Sequence, residues 1–354
     1  MYEYVHGGDV YSVGETNRGN ILDFSANINP LGLPEEVKIA IREAIKACEN
    51  YPDPFCRQLV KALAEHEDVD PDKIFCANGA SEIIFRLALG IKPQKALLLA
   101  PTFADYEKAL RTIGCTVEYY RLSAENNFLI KEDFVSQLNE SIDIVIICNP
   151  NNPTGQLCSK DFLKKVLLKC LETNTLVLVD ECFIDFIDKP EEYSVQAYLK
   201  EFPNLIILKA FTKIYAMPGI RLGYALTSNT ALPDVLRSSG QDWSVSTIAQ
   251  AAGLCALKQK AYVQQTKLMI KTEREFLITK LIELDFEVFG SQANYIFFKT
   301  KGSVDLATEL LVRGILIRSC ANYVNLHDGY YRVAVKTRSE NLSLIRSIKE
   351  VLAK

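Results

Sequence analysis

No apolar run in this 354-residue chain approaches the roughly 20 residues that cross a bilayer. The longest, such as Ile144 to Cys148 and Leu176 to Val179, have only strand length. Positive charge is not in excess either. Lys+Arg 40 against Asp+Glu 44 leaves a net −4, so neither nucleic acid nor membrane is expected as a partner. Small anions stay open, because a few placed arginines suffice for them. The opening MYEYVHGGDV lacks a basic end followed by an apolar core, and no secretory signal is expected. None of the ten cysteines forms a CxxC pair. They are scattered from Cys48 to Cys320, mostly inside apolar runs, which predicts reduced core thiols in a cytoplasmic protein and no structural metal. GxGxxG, GxxxxGK[ST] and HExxH are all missing, so the nicotinamide, P-loop and zincin readings lack their motifs.

What is present reads as an ordinary globular chain, 48% hydrophobic and 24% charged. At about 150 residues per domain, it should hold two domains, or one large one with an appendage. A Gly-, Asn- and Pro-rich arm, with HGG at 6–8 and NINPLGLP at 27–34, precedes a helix expected near 35–49. From about 72 to 225, the runs ALLLA (96–100), DIVIIC (143–148), TLVLV (175–179) and LIILK (205–209) have strand composition. Helical patterns at 81–90, 103–113 and 159–172 separate them. That alternation predicts α/β architecture with a largely parallel sheet covered on both faces. Beyond a long helical stretch near 247–284 come FEVF, NYIFF, ILIR and YYRVAV with a last helix near 338–352. These predict a smaller α+β C-terminal domain. The expected division is 1–34 as an arm packing on the active site, 35–250 as a large domain and 251–354 as a small one.

In open α/β sheets, ligands collect beyond the carboxyl ends of the strands. Asn149-Pro-Asn-Asn152-Pro-Thr-Gly155 follows DIVIIC, Asp180 follows TLVLV, and Thr212-Lys213 with Arg221 follows LIILK. Each has an ordinary reading: a turn, a helix cap, a solvated lysine, an ion-pair partner. Together they match the needs of pyridoxal 5′-phosphate. A lysine forms its Schiff base, and a carboxylate keeps its ring nitrogen protonated so that the ring can accept electrons. Asn152 can donate to the phenolate oxygen, while Thr212 and Arg221 can bind the phosphate. Gly79, Ala80 and Ser81, opening a helix, supply a backbone cradle for a dianion. Phe103, in PTFADY, is placed to lie against the cofactor ring, or else packs in the core. Arg332 stands inside an apolar strand, where a charge without a partner is costly, so an anionic ligand or a fixed carboxylate is needed there.

NPNNPTG, the Asp180-Glu181 pair after a strand, and TK-x₇-R resemble the fold-type I aminotransferases of the aspartate aminotransferase superfamily over nearly the whole chain. That resemblance implies a large domain with a mostly parallel seven-stranded sheet, a smaller C-terminal domain, and a homodimer with shared active sites. HGG, DFSANINPLG, DECFIDF, RSCANY and YYRVAV are similar to the threonine-phosphate decarboxylase branch of cobalamin biosynthesis more than to the histidinol-phosphate aminotransferases. The resemblance makes Lys213 the catalytic lysine and Asp180 the pyridinium partner, with Phe103 stacked on the ring. Tyr51 in NYPDP would reach the other subunit's cofactor phosphate. Arg332 would bind the α-carboxylate of a phosphorylated amino-acid substrate, and His6, Arg318 and Asn29 its phosphate. Most aminotransferases carry tyrosine three residues after the aspartate and a hydroxyl residue three before the lysine. Phe183 and Ala210 stand there, and Phe183 favours the lyase. A regulatory, cofactor-sensing domain is disfavoured by the negative charge and by a cofactor-domain pattern starting within the first few dozen residues.

Overall fold

The computed structural model describes residues 6–12 and 21–353; the rest of the expected arm, 1–5 and 13–20, lies outside them. The described strands are β1 (Leu22–Asp23), β2 (Ile74–Ala77), β3 (Lys95–Ala100), β4 (Thr116–Arg121), β5 (Ile144–Cys148), β6 (Leu176–Asp180) and β7 (Leu205–Ala210). They continue with β8 (Gly223–Thr227), β9 (Glu287–Phe289), β10 (Tyr295–Lys299), β11 (Ile315–Leu316), β12 (Arg318–Ser319) and β13 (Tyr330–Ala334). Seven form the central sheet, in the order β2-β8-β7-β6-β5-β3-β4. Only β8 runs antiparallel to its neighbours there.

The sheet is parallel because its central strands are apolar on both faces. Along β5, Val145 and Ile147 join one core while Ile144, Ile146 and Cys148 join the other. The same alternation divides β6 and β7, as a period of two requires. One face is covered by α3 (Ala80–Ile91) and α4 (Ala104–Thr112), through Ile83, Leu87, Tyr106 and Leu110. The opposite face packs on α2 (Arg57–Glu67) and α5 (Lys160–Glu172), through Leu59, Leu63, Leu163 and Val166. Ser159 caps α5 by accepting from the Phe162 amide. α1 (Glu35–Ala44) precedes these helices and ends in a short 3₁₀ turn.

A four-stranded antiparallel sheet, β12-β13-β10-β9, forms the C-terminal part. It packs on α7 (Lys260–Glu283), and a final helix, α8 (Arg338–Leu352), packs on α7. Thr337 and Glu340 close a capping box at the start of α8. The long helical stretch expected at 247–284 is two helices. α6 (Thr247–Ala256) runs across residue 250 and packs on α1 and α2, so the residues on either side of the expected domain limit belong to one helix. ILIR is also divided: β11 pairs in parallel with β1, while Arg318 begins β12 in the other sheet. The segment expected as an arm is thereby stitched to the C-terminal part. No helix among the described residues is long and apolar enough to cross a membrane.

Candidate active site

A cavity of about 540 Å³ opens beyond the carboxyl ends of β5, β6 and β7. Lys213 projects into it from the short helical turn Phe211–Ile214 that follows β7, beside the buried Thr212. Burial, and then the neighbouring Arg332 and Arg221 guanidinium groups, lower the Lys213 pKa from 10.5 to about 8. Its ammonium lies 5.9 Å from the centre of the Phe183 ring. Asp180 ends β6 in the same cavity, and burial pushes its carboxyl above the ordinary range. The Cys182 thiol, the Tyr106 hydroxyl and the Cys182 N–H oppose that rise, with the Lys213 charge behind them. Tyr106 Oη donates to Oδ2 at 2.6 Å, and the Cys182 N–H donates to Oδ1 at 2.9 Å. Asp180 follows Leu178 on the α4 face by strand alternation, and Glu181 turns to the opposite face.

Ala80 and Ser81 bring the first turn of α3 to the cavity wall. Gly79 precedes that turn at φ +82°, and a Cβ there would stand 2.5 Å from the Arg221 guanidinium. A Cβ on Gly223 would stand 2.5 Å from the Ala80 nitrogen. Glycine at both places lets a guanidinium and β8 close onto exposed helix-start N–H groups, a cradle suited to a phosphate dianion. Asn152 is buried, and its Oδ1 accepts from Arg332 Nη1. Arg332 Nη2 donates to the Ser25 carbonyl at 2.7 Å, and its Nε has no hydrogen-bond partner among the described residues. No carboxylate pairs with this buried guanidinium among its hydrogen bonds. Phe103 lines the cavity too, packed edge-on against Tyr106 with ring centres 5.6 Å apart. His6 reaches the cavity from the arm, 2.8 Å from Asp105.

Three expected site residues stand elsewhere. Asn29 Nδ2 donates to the Ile214 carbonyl and to Thr266 Oγ1, both at 2.7 Å, which ties its amide to the scaffold. Asn27, two residues earlier, faces the cavity, with a buried Oδ1 that has no hydrogen-bond partner among the described residues. Arg318 lies in an adjoining cleft of about 180 Å³ that shares Phe103 and Tyr323 with the main cavity. It donates to Asn322 Oδ1 at 2.8 Å and stacks 5.2 Å above Tyr323. Tyr51 is 80% exposed and stacked on Trp243, outside its own chain's cavity. Sequence reasoning missed Asn27, Ser25, Tyr106 and Asp105. Tyr106 and Asp105 sit within the PTFADY segment, where only Phe103 carried a signal.

A lysine whose pKa is lowered to about 8, a buried carboxylate, a phosphate cradle and an arginine with an orphaned N–H therefore share one cavity. These groups fit pyridoxal 5′-phosphate and an amino-acid carboxylate. The chain is 36% identical to a threonine-phosphate decarboxylase from Salmonella typhimurium, over 99% of this chain and 98% of that one. It is 31% identical to a histidinol-phosphate aminotransferase from Caldicellulosiruptor saccharolyticus, over 99% and 97%. Its fold resembles the crystal structure of the histidinol-phosphate aminotransferase from Clostridium acetobutylicum, with TM-score 0.88, 34% identity, and coverage of 94% of this chain and 99% of that one. The model of the aminotransferase class I and II family matches residues 19–348, and the chain belongs to that family.

Proposed function

We propose that this protein decarboxylates L-threonine O-3-phosphate to (R)-1-amino-2-propanol O-2-phosphate and CO₂, a step of cobalamin biosynthesis. It is a pyridoxal-phosphate enzyme, and bound cofactor supplies an electron sink for the pair left on Cα as CO₂ departs. Lys213 holds the cofactor and returns a proton to Cα. Asp180 would pair with the ring nitrogen, Asn152 would donate to the ring oxygen, and Phe103 would stack on the ring. Gly79, Ala80, Ser81, Thr212 and Arg221 hold the cofactor phosphate. The observation that carries the reading is Arg332, a buried guanidinium tied to Asn152 and to the arm carbonyl of Ser25, in the cavity of a partly deprotonated Lys213. An α-carboxylate and a lysine that can deliver a proton are thereby addressed together.

Which bond at Cα breaks depends on how the substrate is anchored at its two anionic ends. Arg332 fixes the carboxylate. His6 and Asn27 line the same cavity from the arm side, and Arg318 adds charge from the adjoining cleft, so the substrate's phosphate is directed there. The exposed Tyr51 serves a second copy, which makes the working unit a homodimer with shared sites. Ten free cysteines, seven of them buried, suit a reducing cytoplasm.

The test is CO₂ release from protein loaded with pyridoxal phosphate and given L-threonine O-3-phosphate, without any 2-oxo acid. Steady release over many turnovers is expected. Absence of release, together with amino transfer from histidinol phosphate to 2-oxoglutarate, would overturn the lyase reading in favour of the aminotransferase branch.

A further inference from the structure

Asp105 stands in the first turn of α4, where a carboxylate is favoured by the helix dipole. It makes no cap there: Phe103 is the N-cap residue, and both Asp105 oxygens are engaged elsewhere. Oδ1 meets His6 Nε2 at 2.8 Å, and Oδ2 accepts from Ser81 Oγ at 2.9 Å. Asp105 as a whole is only 8% exposed. Burial opposes its ionisation, but His6, then Ser81 and Lys108, hold it below the ordinary aspartate value. One buried anion therefore bridges two elements remote in sequence, the arm at His6 and the phosphate cradle at Ser81.

The arm has a second fixed point. The Gly8 N–H donates to Ser25 Oγ at 2.7 Å, and Ser25 Oγ donates to Asp23 at 2.6 Å. Gly7 passes so close that a Cβ would lie 2.2 Å from the Ser25 carbonyl oxygen, the same oxygen that accepts from Arg332. Residues 6–8 thus line the cavity between Ser25, on the Arg332 side, and Asp105, on the cradle side. Ser25 secures one end and Asp105 the other.

We propose that Asp105 is a positioning residue, a latch that holds the arm across the active-site cavity and fixes the His6 ring by coupling it to the cofactor-phosphate cradle through Ser81. This rests on the function proposed above only for the identity of the substrate. The latch itself, His6–Asp105–Ser81, does not depend on which substrate binds. Losing it removes the charge-assisted contact at His6, leaving that ring packed on Phe103 while the Ser25 end stays attached, so the arm loosens without leaving the protein. A phosphorylated amino acid then meets a less organised wall, and binding suffers more than the chemistry at Cα.

The experiment compares wild type with Asp105→Asn, Asp105→Glu, His6→Ala and the double variant His6→Ala/Asp105→Asn, all as holoenzymes. Amide hydrogen exchange is read over Gly7 to Ser12 without substrate. Asp105→Asn should speed exchange there about tenfold, the worth of one charge-assisted hydrogen bond, and Asp105→Glu should recover part of the protection. His6→Ala should speed it similarly, and Asp105→Asn should add nothing to arm exchange in that background. Dissociation of pyridoxal phosphate should quicken in Asp105→Asn and not in His6→Ala, because only the first disturbs Ser81. With L-threonine O-3-phosphate, KM should rise by a larger factor in Asp105→Asn than kcat falls. Unchanged arm exchange in Asp105→Asn, or additive effects in the double variant, would overturn the latch. If the exchange results hold while no CO₂ is released, the latch stands and the substrate assignment falls.

Discussion

Two lysines, the buried Lys209 and the half-buried Lys213, lie four residues apart and meet opposite fates on opposite faces of the central sheet. Lys209 points toward the α2 face and donates to Glu67 Oε2 at 2.8 Å and Gln196 Oε1 at 3.0 Å. Burial alone would depress it, but Glu67, Glu181 and Asp185 outweigh burial and hold it above its ordinary pKa. Lys213 has no such carboxylate within ion-pair reach among the described residues, and two guanidinium groups help push it down to about 8. Each face also carries a tyrosine donating to a buried carboxylate, Tyr224 to Glu67 and Tyr106 to Asp180. One face closes lysine, carboxylate and tyrosine into a satisfied network. The other keeps lysine and carboxylate apart across a cavity, which leaves both available to a ligand. Polar residues of the same kinds make scaffold or site according to whether they are paired with each other.

The comparison breaks most sharply at Lys213. Lys213→Ala should remove the visible absorbance of the lysine-bound cofactor and lower turnover by at least about four orders of magnitude. A variant that kept the visible band would refute the assignment. Lys209→Met should do the reverse. It strands Glu67 as a buried anion, costing roughly 3–5 kcal/mol in chemical denaturation, while the visible band survives. Replacing both partners, Glu67→Leu with Lys209→Met, should restore much of that loss. If Lys209→Met abolished the band at unchanged stability, the division into scaffold and site would be wrong.

The proton on Lys213 sharpens the contrast. A depressed folded-state pKa means that the amine is already deprotonated at a pH where an ordinary lysine is still charged, and only the neutral amine attacks an aldehyde. The rate at which apoprotein develops the visible band on adding pyridoxal phosphate should therefore rise from about pH 7 to about pH 9, with a midpoint near 8. The sign also applies to stability. Between about 8 and the unfolded value of 10.5, the unfolded chain binds the extra proton, so this residue's contribution grows more favourable as pH rises. A midpoint near 10.5 would show that burial and the two arginines do not act on Lys213.

Much of this arrangement is legible in the chain, and the limits are physical. β3, β5, β6 and β7 announce themselves because burial on both faces demands continuous apolar runs. β4, TVEYYR, is an edge strand whose residues are partly solvated, and its pattern carries no such demand. ILIR reads as one strand, yet its halves serve two sheets, which no local signal encodes. At the site, Lys213, Asp180 and Asn152 are marked by their places after strands. Asn27 and Asn29 are indistinguishable by residue type in SANIN. Which one faces the cavity depends on contacts with Thr266 and Ile214, about 240 and 185 residues away. Asp105 and Tyr106 are likewise defined only by partners that the fold brings to them.

The two tyrosines give the smallest and most discriminating test. Each hydroxyl donates to a carboxylate that is almost wholly buried, and loss of such a bond costs about 1–3 kcal/mol. Where that cost appears is the question. Tyr224→Phe should lower folding stability by about that amount and leave turnover near wild type, because Glu67 has no partner in the cavity. Tyr106→Phe removes one of the three donors that oppose the rise of Asp180, so that carboxyl should move further toward its neutral form. A neutral Asp180 cannot keep a ring nitrogen protonated, and turnover should fall about tenfold with a smaller change in stability. Denaturant midpoints and CO₂ release measured on both variants read the two effects side by side. Equal losses of stability with no difference in turnover would mean that Tyr106 is as structural as Tyr224, and that the two faces differ only in their lysines.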